Sequence, residues 1–210
     1  MQTTFVEMTI KDFGARVESV WEGLRPMTKK MIVRALQEKS GNALTAPTQK
    51  FSYDAHADWE LSRLLSALDE QAKTAEVKEN AEKLREIKQL AETCANVLEA
   101  KTVSAEIFIH LATRAVRRND FNKIERLADI LAERFSPGEI AEVIRQTELA
   151  QIRAIAFETL AMMPISAILP LLDDSIYFEI ARNAIEQQAF EFESEEARDV
   201  LEQLEFDELN

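Results

Sequence analysis

Asn119-Asp120-Phe121-Asn122-Lys123-Ile124-Glu125-Arg126-Leu127-Ala128, Thr147-Glu148-Leu149-Ala150-Gln151-Ile152-Arg153-Ala154-Ile155-Ala156 and Ser175-Ile176-Tyr177-Phe178-Glu179-Ile180-Ala181-Arg182-Asn183-Ala184 align without a gap. The period is about 28 residues, which signals stacked helical units. Each unit opens on a residue type that caps helices (Asn119, Thr147, Ser175). An apolar residue follows two places on, then Ile124, Ile152 or Ile180, then Ala128, Ala156 or Ala184. The Ala stands one turn from the Ile on the same face, where a small side chain lets a neighbouring helix come close. A second helix follows in each unit. Ser136-Pro137-Gly138-Glu139 reads as a capping box with Pro at the first helical position. Pro164 with Ser166, and Ser194-Glu195-Glu196, mark the corresponding places. Ile140, Val143 and Ile144 match Ile168, Leu171 and Leu172, and the third unit is shifted by a residue, as terminal repeats often are.

The remaining chain agrees with an all-α fold. Only 4 Gly and 5 Pro interrupt 210 residues, and the intervening sequence is rich in good helix formers. Apolar spacing predicts helices over 10–23, from Pro26 to the Ser40-Gly41 stop, and over 57–72, 75–99 and 103–118. The 57–72 face carries Trp59, Leu61, Leu64, Leu65 and Leu68. In 75–99, Val77, Leu84, Ala91 and Leu98 recur every seventh residue, with Ala81, Ile87 and Cys94 between them. A neighbouring helix of the same chain or a second copy of the chain would cover that seam. The expected organisation is an N-terminal helical hairpin over 1–40, an irregular loop or linker over 41–56 anchored by Phe51 and Tyr53, a helical bundle over 57–118, and helical repeats with an acidic cap over 119–210.

Within the repeats, Ile152-Arg153-Ala154-Ile155-Ala156-Phe157-Glu158-Thr159-Leu160 and Ala167-Ile168-Leu169-Pro170-Leu171-Leu172-Asp173-Asp174 resemble a HEAT-type repeat. The resemblance covers residues 119–204, and the short period is closest to the HEAT-like repeats of bilin lyases. It implies an α-solenoid that binds proteins, with no reaction attached. It also implies a ladder between Arg153 and Asp173 or Asp174. Glu125 and Ala181 stand where Arg153 would recur.

Charge narrows the function. A formal net charge of -13 disfavours nucleic acid, whose binding rests on Lys and Arg neutralising phosphates. No apolar run approaches the roughly 20 residues of a membrane-spanning helix. The start, Met1 to Glu7, lacks the pattern of a secretory signal, and the single cysteine, Cys94, cannot form an internal disulfide. A cytoplasmic location is expected.

Catalytic motifs are not apparent. The chain carries no Gly-rich phosphate loop, Gly-x-Ser-x-Gly, His-Glu-x-x-His or Cys-x-x-Cys. Asp54, His56 and Asp58 alternate as metal ligands would in an extended segment. The simpler reading is a polar loop end with Asp58 near the N-cap of helix 57–72. His110 and Cys94 read as structural residues. Arg114, Arg117, Arg118, Lys123 and Arg126 form the one dense basic run, and from Glu191 onward the tail is acidic with interleaved apolar residues. That tail reads as a solvated capping helix or as a segment that docks on a basic partner.

These observations predict a non-enzymatic protein–protein interaction module, with no cofactor and no metal, working through the concave face of the repeats. Glu139, Glu142, Arg145 and Gln146 on the second helices, with Arg117 and Arg118, are the candidate partner-binding residues. The alternative is an all-α sensor or enzyme with an apolar pocket lined by Phe157, Met162, Met163, Tyr177 and Phe178. The register makes one prediction. Ala156→Trp should cost about 1–3 kcal/mol or more through over-packing, read by denaturant melts; an undiminished stability would contradict the register.

Overall fold

The computed structural model describes residues 10–39 and 53–208, and among these every regular element is helical. Most of the 41–56 stretch, Phe51 included, lies outside the described residues, as does the Ser40-Gly41 stop. The chain divides into two compact units, Met1–Thr102 and Val103–Asn210. The division falls before the helix predicted over 103–118, which belongs with the second unit rather than with the bundle.

The first unit holds α1 (Ala15–Glu22), α2 (Pro26–Lys39), α3 (Ala55–Gln71), α4 (Ala75–Glu79) and α5 (Ala81–Lys101). Two predicted helices are shorter than expected, each for a local reason. Gly14 takes φ 116, so α1 starts at Ala15; only glycine adopts that conformation freely. The helix expected over 75–99 breaks at Asn80, whose extended backbone (φ -109, ψ 95) ends α4 while its side chain caps α5 through the Lys83 N–H. Ala57, Leu61, Leu64, Leu65 and Leu68 of α3 are all buried, the spacing of one helical face. That face meets α5, where Ile87, Ala91, Cys94 and Leu98 are buried in turn. Asp58 near the start of α3 accepts a hydrogen bond from Thr102, just past the end of α5, at 3.1 Å; the two helices therefore run antiparallel. α1 packs on α3, and α2 on α5 and α3, so residues 10–39 share this core. Trp59 points outward, 52% exposed, beneath the Arg63 guanidinium at 4.5 Å.

One polar network fastens the helix starts. The Glu60 side chain is 1% exposed. It accepts from the Arg25 backbone N–H at 2.7 Å, from Arg25 Nε at 3.0 Å and from the Thr28 hydroxyl. It thus satisfies free donors at the N-terminus of α2, where a carboxylate also suits the helix dipole. Arg25 turns its other nitrogens to Asp54, at 3.0 and 2.7 Å. Asp54, not Asp58, is the N-cap of α3, accepting from Ala57 N–H at 2.8 Å. The Arg25 guanidinium and that N–H hold Asp54 well below the usual carboxylate range. Burial pushes Glu60 up, but Thr28 and Arg25 outweigh it and leave the carboxyl below its ordinary value.

The second unit holds α6 (Ala105–Arg117), α7 (Phe121–Arg134), α8 (Pro137–Gln146), α9 (Ala150–Ala161), α10 (Ile165–Ile168) continued by a 3-10 turn (Leu169–Leu171), α11 (Phe178–Phe190) and α12 (Glu195–Glu208). α9 packs on α6, α7, α8 and α11, α8 also meets α6 and α11, and α12 lies on α11. Ile152, Ala156 and Ala184 are buried, whereas Ala128 and Ile180 are half-buried. Phe108 of α6 meets Phe135 edge to face, with centroids 5.5 Å apart.

The predicted caps divide into those found and those displaced. Ser136 and Ser194 cap α8 and α12. Asn119 instead closes α6: it takes φ 54, and the Asn119 and Asp120 N–H groups return to the Val116 and Ala115 carbonyls. This is the left-handed helix stop that Asn tolerates, and Asp120 becomes the cap of α7. Thr147 terminates α8 and bonds Leu149 N–H, outside the cap position of α9. Asp174 rather than Ser175 receives the Ile176, Tyr177 and Phe178 N–H groups before α11.

The Glu60 network predicts a pH dependence. Asp54 and Glu60 titrate lower in the folded chain than in the unfolded one. Their contribution is therefore complete above about pH 4.3 and is lost as pH falls through the folded values. Glu60→Gln should cost about 2 kcal/mol at pH 7 and flatten the loss of stability below pH ~4. Denaturant midpoints across pH check this, and an unchanged acid limb would contradict it.

Candidate functional site

The candidate residues on α8 follow from its amphipathic pattern. Ile140, Ala141, Val143 and Ile144 are buried, so Glu142, Arg145 and Gln146 are left on the outer face, where residues three and four apart are neighbours. Arg145 grips Glu142 through two nitrogens, at 2.7 and 2.5 Å, and Gln146 donates to the same carboxylate. Tyr177, just before α11, donates its hydroxyl to Glu142 at 3.0 Å. One carboxylate thus joins α8 to the segment leading into α11. The Arg145 guanidinium, with Gln146 and Tyr177, holds Glu142 down to about 2 against burial, so it is ionised at neutral pH. Burial and the Glu142 carboxylate push Tyr177 up.

Glu139 leaves this group. Its carboxylate accepts from Ala105 N–H at 2.6 Å, capping the start of α6, so it serves the fold. Arg117 and Arg118 are exposed at the end of α6. The basic run around them does not form one surface, because Arg114 and Lys123 are buried while Arg126 is exposed.

Asp54, His56 and Asp58 separate once α3 begins at Ala55, since positions two apart point to different sides of a helix. Asp54 caps α3 and pairs with Arg25. His56 is exposed, edge-on to Trp59, with its ring 3.7 Å from Glu60. Asp58 is buried and accepts from Tyr53 and Thr102; burial, opposed by those hydrogen bonds, raises its pKa. Among the described residues no three His, Cys, Asp or Glu converge to hold a metal ion. Cys94 is fully buried, and His110 is half-buried.

Open grooves mark the described part of the second unit. Between α9 and α11, Ala150, Arg153, Ala154, Phe157, Glu158 and Gln187 line a volume of about 480 Å³. Arg153 donates to the Thr147 carbonyl at 2.5 Å, and Asp174 is engaged with Ile176 N–H, where the HEAT resemblance implied an Arg153–aspartate ladder. Of the five candidate pocket residues, Phe157 lines this groove. Met162 is 72% exposed, and Tyr177 is held by Glu142.

The second groove was not anticipated. Leu169, Pro170, Leu172 and Asp173 face Val200, Gln203 and Leu204 of α12 across about 440 Å³. It exists because α10 gives way after one turn. Pro170 lacks an N–H and its ring opposes a continued α-helix, so the chain tightens into the 3-10 turn. Gln188, buried on α11, donates to the Met163 carbonyl at 2.7 Å and secures the α9–α10 turn.

Comparison with known proteins finds no matching family model, no matching curated protein and no matching solved structure. Among the described residues no single helix is long and apolar enough to cross a membrane. α9 and the α10 segment pass together by composition, but they bend by 119°, and Ile152, Ala156, Leu160 and Ala161 are already covered by protein.

The α8 cluster is testable by titration. In Arg145→Ala the Glu142 carboxyl should rise from about 2 toward its ordinary 4.5, followed by carboxyl NMR shifts; a value still near 2 would show that Arg145 is not its main partner.

Proposed function

We propose that the chain is a non-catalytic protein–protein interaction module, an adaptor, scaffold or regulator acting in a cytoplasmic setting. Its working part lies in the Val103–Asn210 unit, where residues 119–204 are read as short HEAT-like helical pairs with a concave binding face. Support for the repeat reading comes from the helix starts. α7, α9 and α11 begin at Phe121, Ala150 and Phe178, and α8, α10 and α12 at Pro137, Ile165 and Glu195.

The observation that carries the interaction reading is open grooves lined by both apolar and charged side chains. On the same unit Met162, Leu169, Ile176, Phe190, Phe192 and Phe206 are exposed. Exposed apolar surface rimmed by polar residues is what protein-binding surfaces offer. The size of the α9–α11 groove favours a second reading, a small-ligand sensor, because such sites span about 300–1,000 Å³.

Affinity purification of the full chain from the cells that make it, with mass spectrometry of bound proteins and small molecules, separates the two. The module reading expects a stoichiometric protein partner that Phe157→Asp or Leu204→Arg releases while the chain stays folded. A retained small molecule without a protein partner would overturn it in favour of the sensor.

A further inference from the structure

The groove between the 3-10 turn and α12 has a charge pattern that names its occupant. Leu169, Pro170 and Leu172 on one side and Val200 and Leu204 on the other supply apolar walls. Leu169 is 38% exposed, and Leu172, Val200 and Leu204 are half-buried, so these side chains are incompletely covered by their own chain. Asp173 lies in the lining itself. Glu196 and Asp199 stand one turn before Val200 and Gln203 on α12 and are exposed, on the same side of the helix as those lining residues.

No lining residue is basic. From Glu191 to Glu208 the only basic residue is Arg198, and it is turned away, donating to the Ala189 carbonyl of α11 at 3.2 Å. The acids on this rim are therefore not neutralised by the tail's own cation.

We infer that this groove receives a basic amphipathic helix from a partner protein. Apolar side chains three and four residues apart would enter between Leu169 and Leu204, as in other helix-in-groove complexes. Flanking Lys or Arg would meet Asp173, Glu196 and Asp199. The inference rests on the interaction-module reading and specifies the chemistry of its partner. It also gives the acidic tail a task beyond covering α11.

The test is fluorescence anisotropy of the full chain with a labelled 18-residue peptide, Leu on one helical face and Lys on the rest. A peptide of the same composition with its Leu dispersed around the helix is the control. The amphipathic peptide should bind at least tenfold tighter than the control. Asp173→Lys with Asp199→Lys should weaken it at least tenfold. Glu202→Lys with Glu205→Lys makes the same change of charge away from the lining and should weaken it less than threefold. Leu204→Arg should abolish binding; the exposed double charge reversal carries the test if Leu204→Arg fails to fold.

Equal binding of the two peptides, or equal loss in the two double variants, would overturn the inference by reducing it to general attraction for an acidic chain. Self-association that buries the groove and excludes the peptide would overturn it in favour of a second copy. A cellular partner still bound by the Asp173→Lys, Asp199→Lys chain would overturn the groove while leaving the module reading intact. Recovery of no protein partner is the separate failure of that reading.

Discussion

Helices can crowd around α9 only where it presents small side chains, and Ala156 and Ala161 are both fully buried. α6, α7, α8 and α11 all pack on this helix. Interiors are packed like organic solids, so the volume at these positions sets how close each neighbour comes. α9 is apolar around most of its circumference, and Ile152 and Leu160 add further burial. The grooves are the margins of the same arrangement. One opens along α9 where Ala150 and Ala154 leave space beside Phe157, and the other where α10 ends early below α12.

Electrostatics divides the acids of this chain by task. Asp54 and Glu60 hold helix starts in the first unit through Arg25, Thr28 and backbone N–H groups. Glu139 and Glu142 do related work in the second, one at the start of α6 and the other between α8 and Tyr177. Carboxylates with such partners gain charge-assisted hydrogen bonds. The tail differs, because its one cation, Arg198, serves a helix end. Uncompensated charge of one sign repels itself and attracts the opposite sign, which links the composition of α12 to the kind of partner proposed for it.

Much of the architecture was legible because helices announce themselves by apolar spacing. The faces of α3, α5 and α8 follow directly from Leu61-Leu64-Leu65-Leu68, Ile87-Ala91-Cys94-Leu98 and Ile140-Val143-Ile144. What the pattern concealed were single-residue events. Gly14 and Asn80 interrupt helices whose side-chain periodicity continues through them. Asn119 was read as a helix start, but its left-handed backbone makes it the stop of α6. Glu142, Arg145 and Gln146 were identifiable as outer-face positions, but their link to Tyr177 depends on folding that brings residues 35 apart together. Glu139 looked like half of a capping box, yet its carboxylate reaches Ala105 instead. The α12 groove left a trace in the interleaved acids and apolar residues of the tail. Its opposite wall depends on how Pro170 redirects the chain, which periodicity does not encode.

The most direct test of the functional account is hydrogen exchange on the full chain, alone and with the protein partner it recovers from cells. Slowed exchange upon binding is expected in the Leu169–Leu171 turn and in α12, with α1 to α5 unchanged. Protection confined to the Met1–Thr102 unit would contradict it and move the working surface to the other half of the protein.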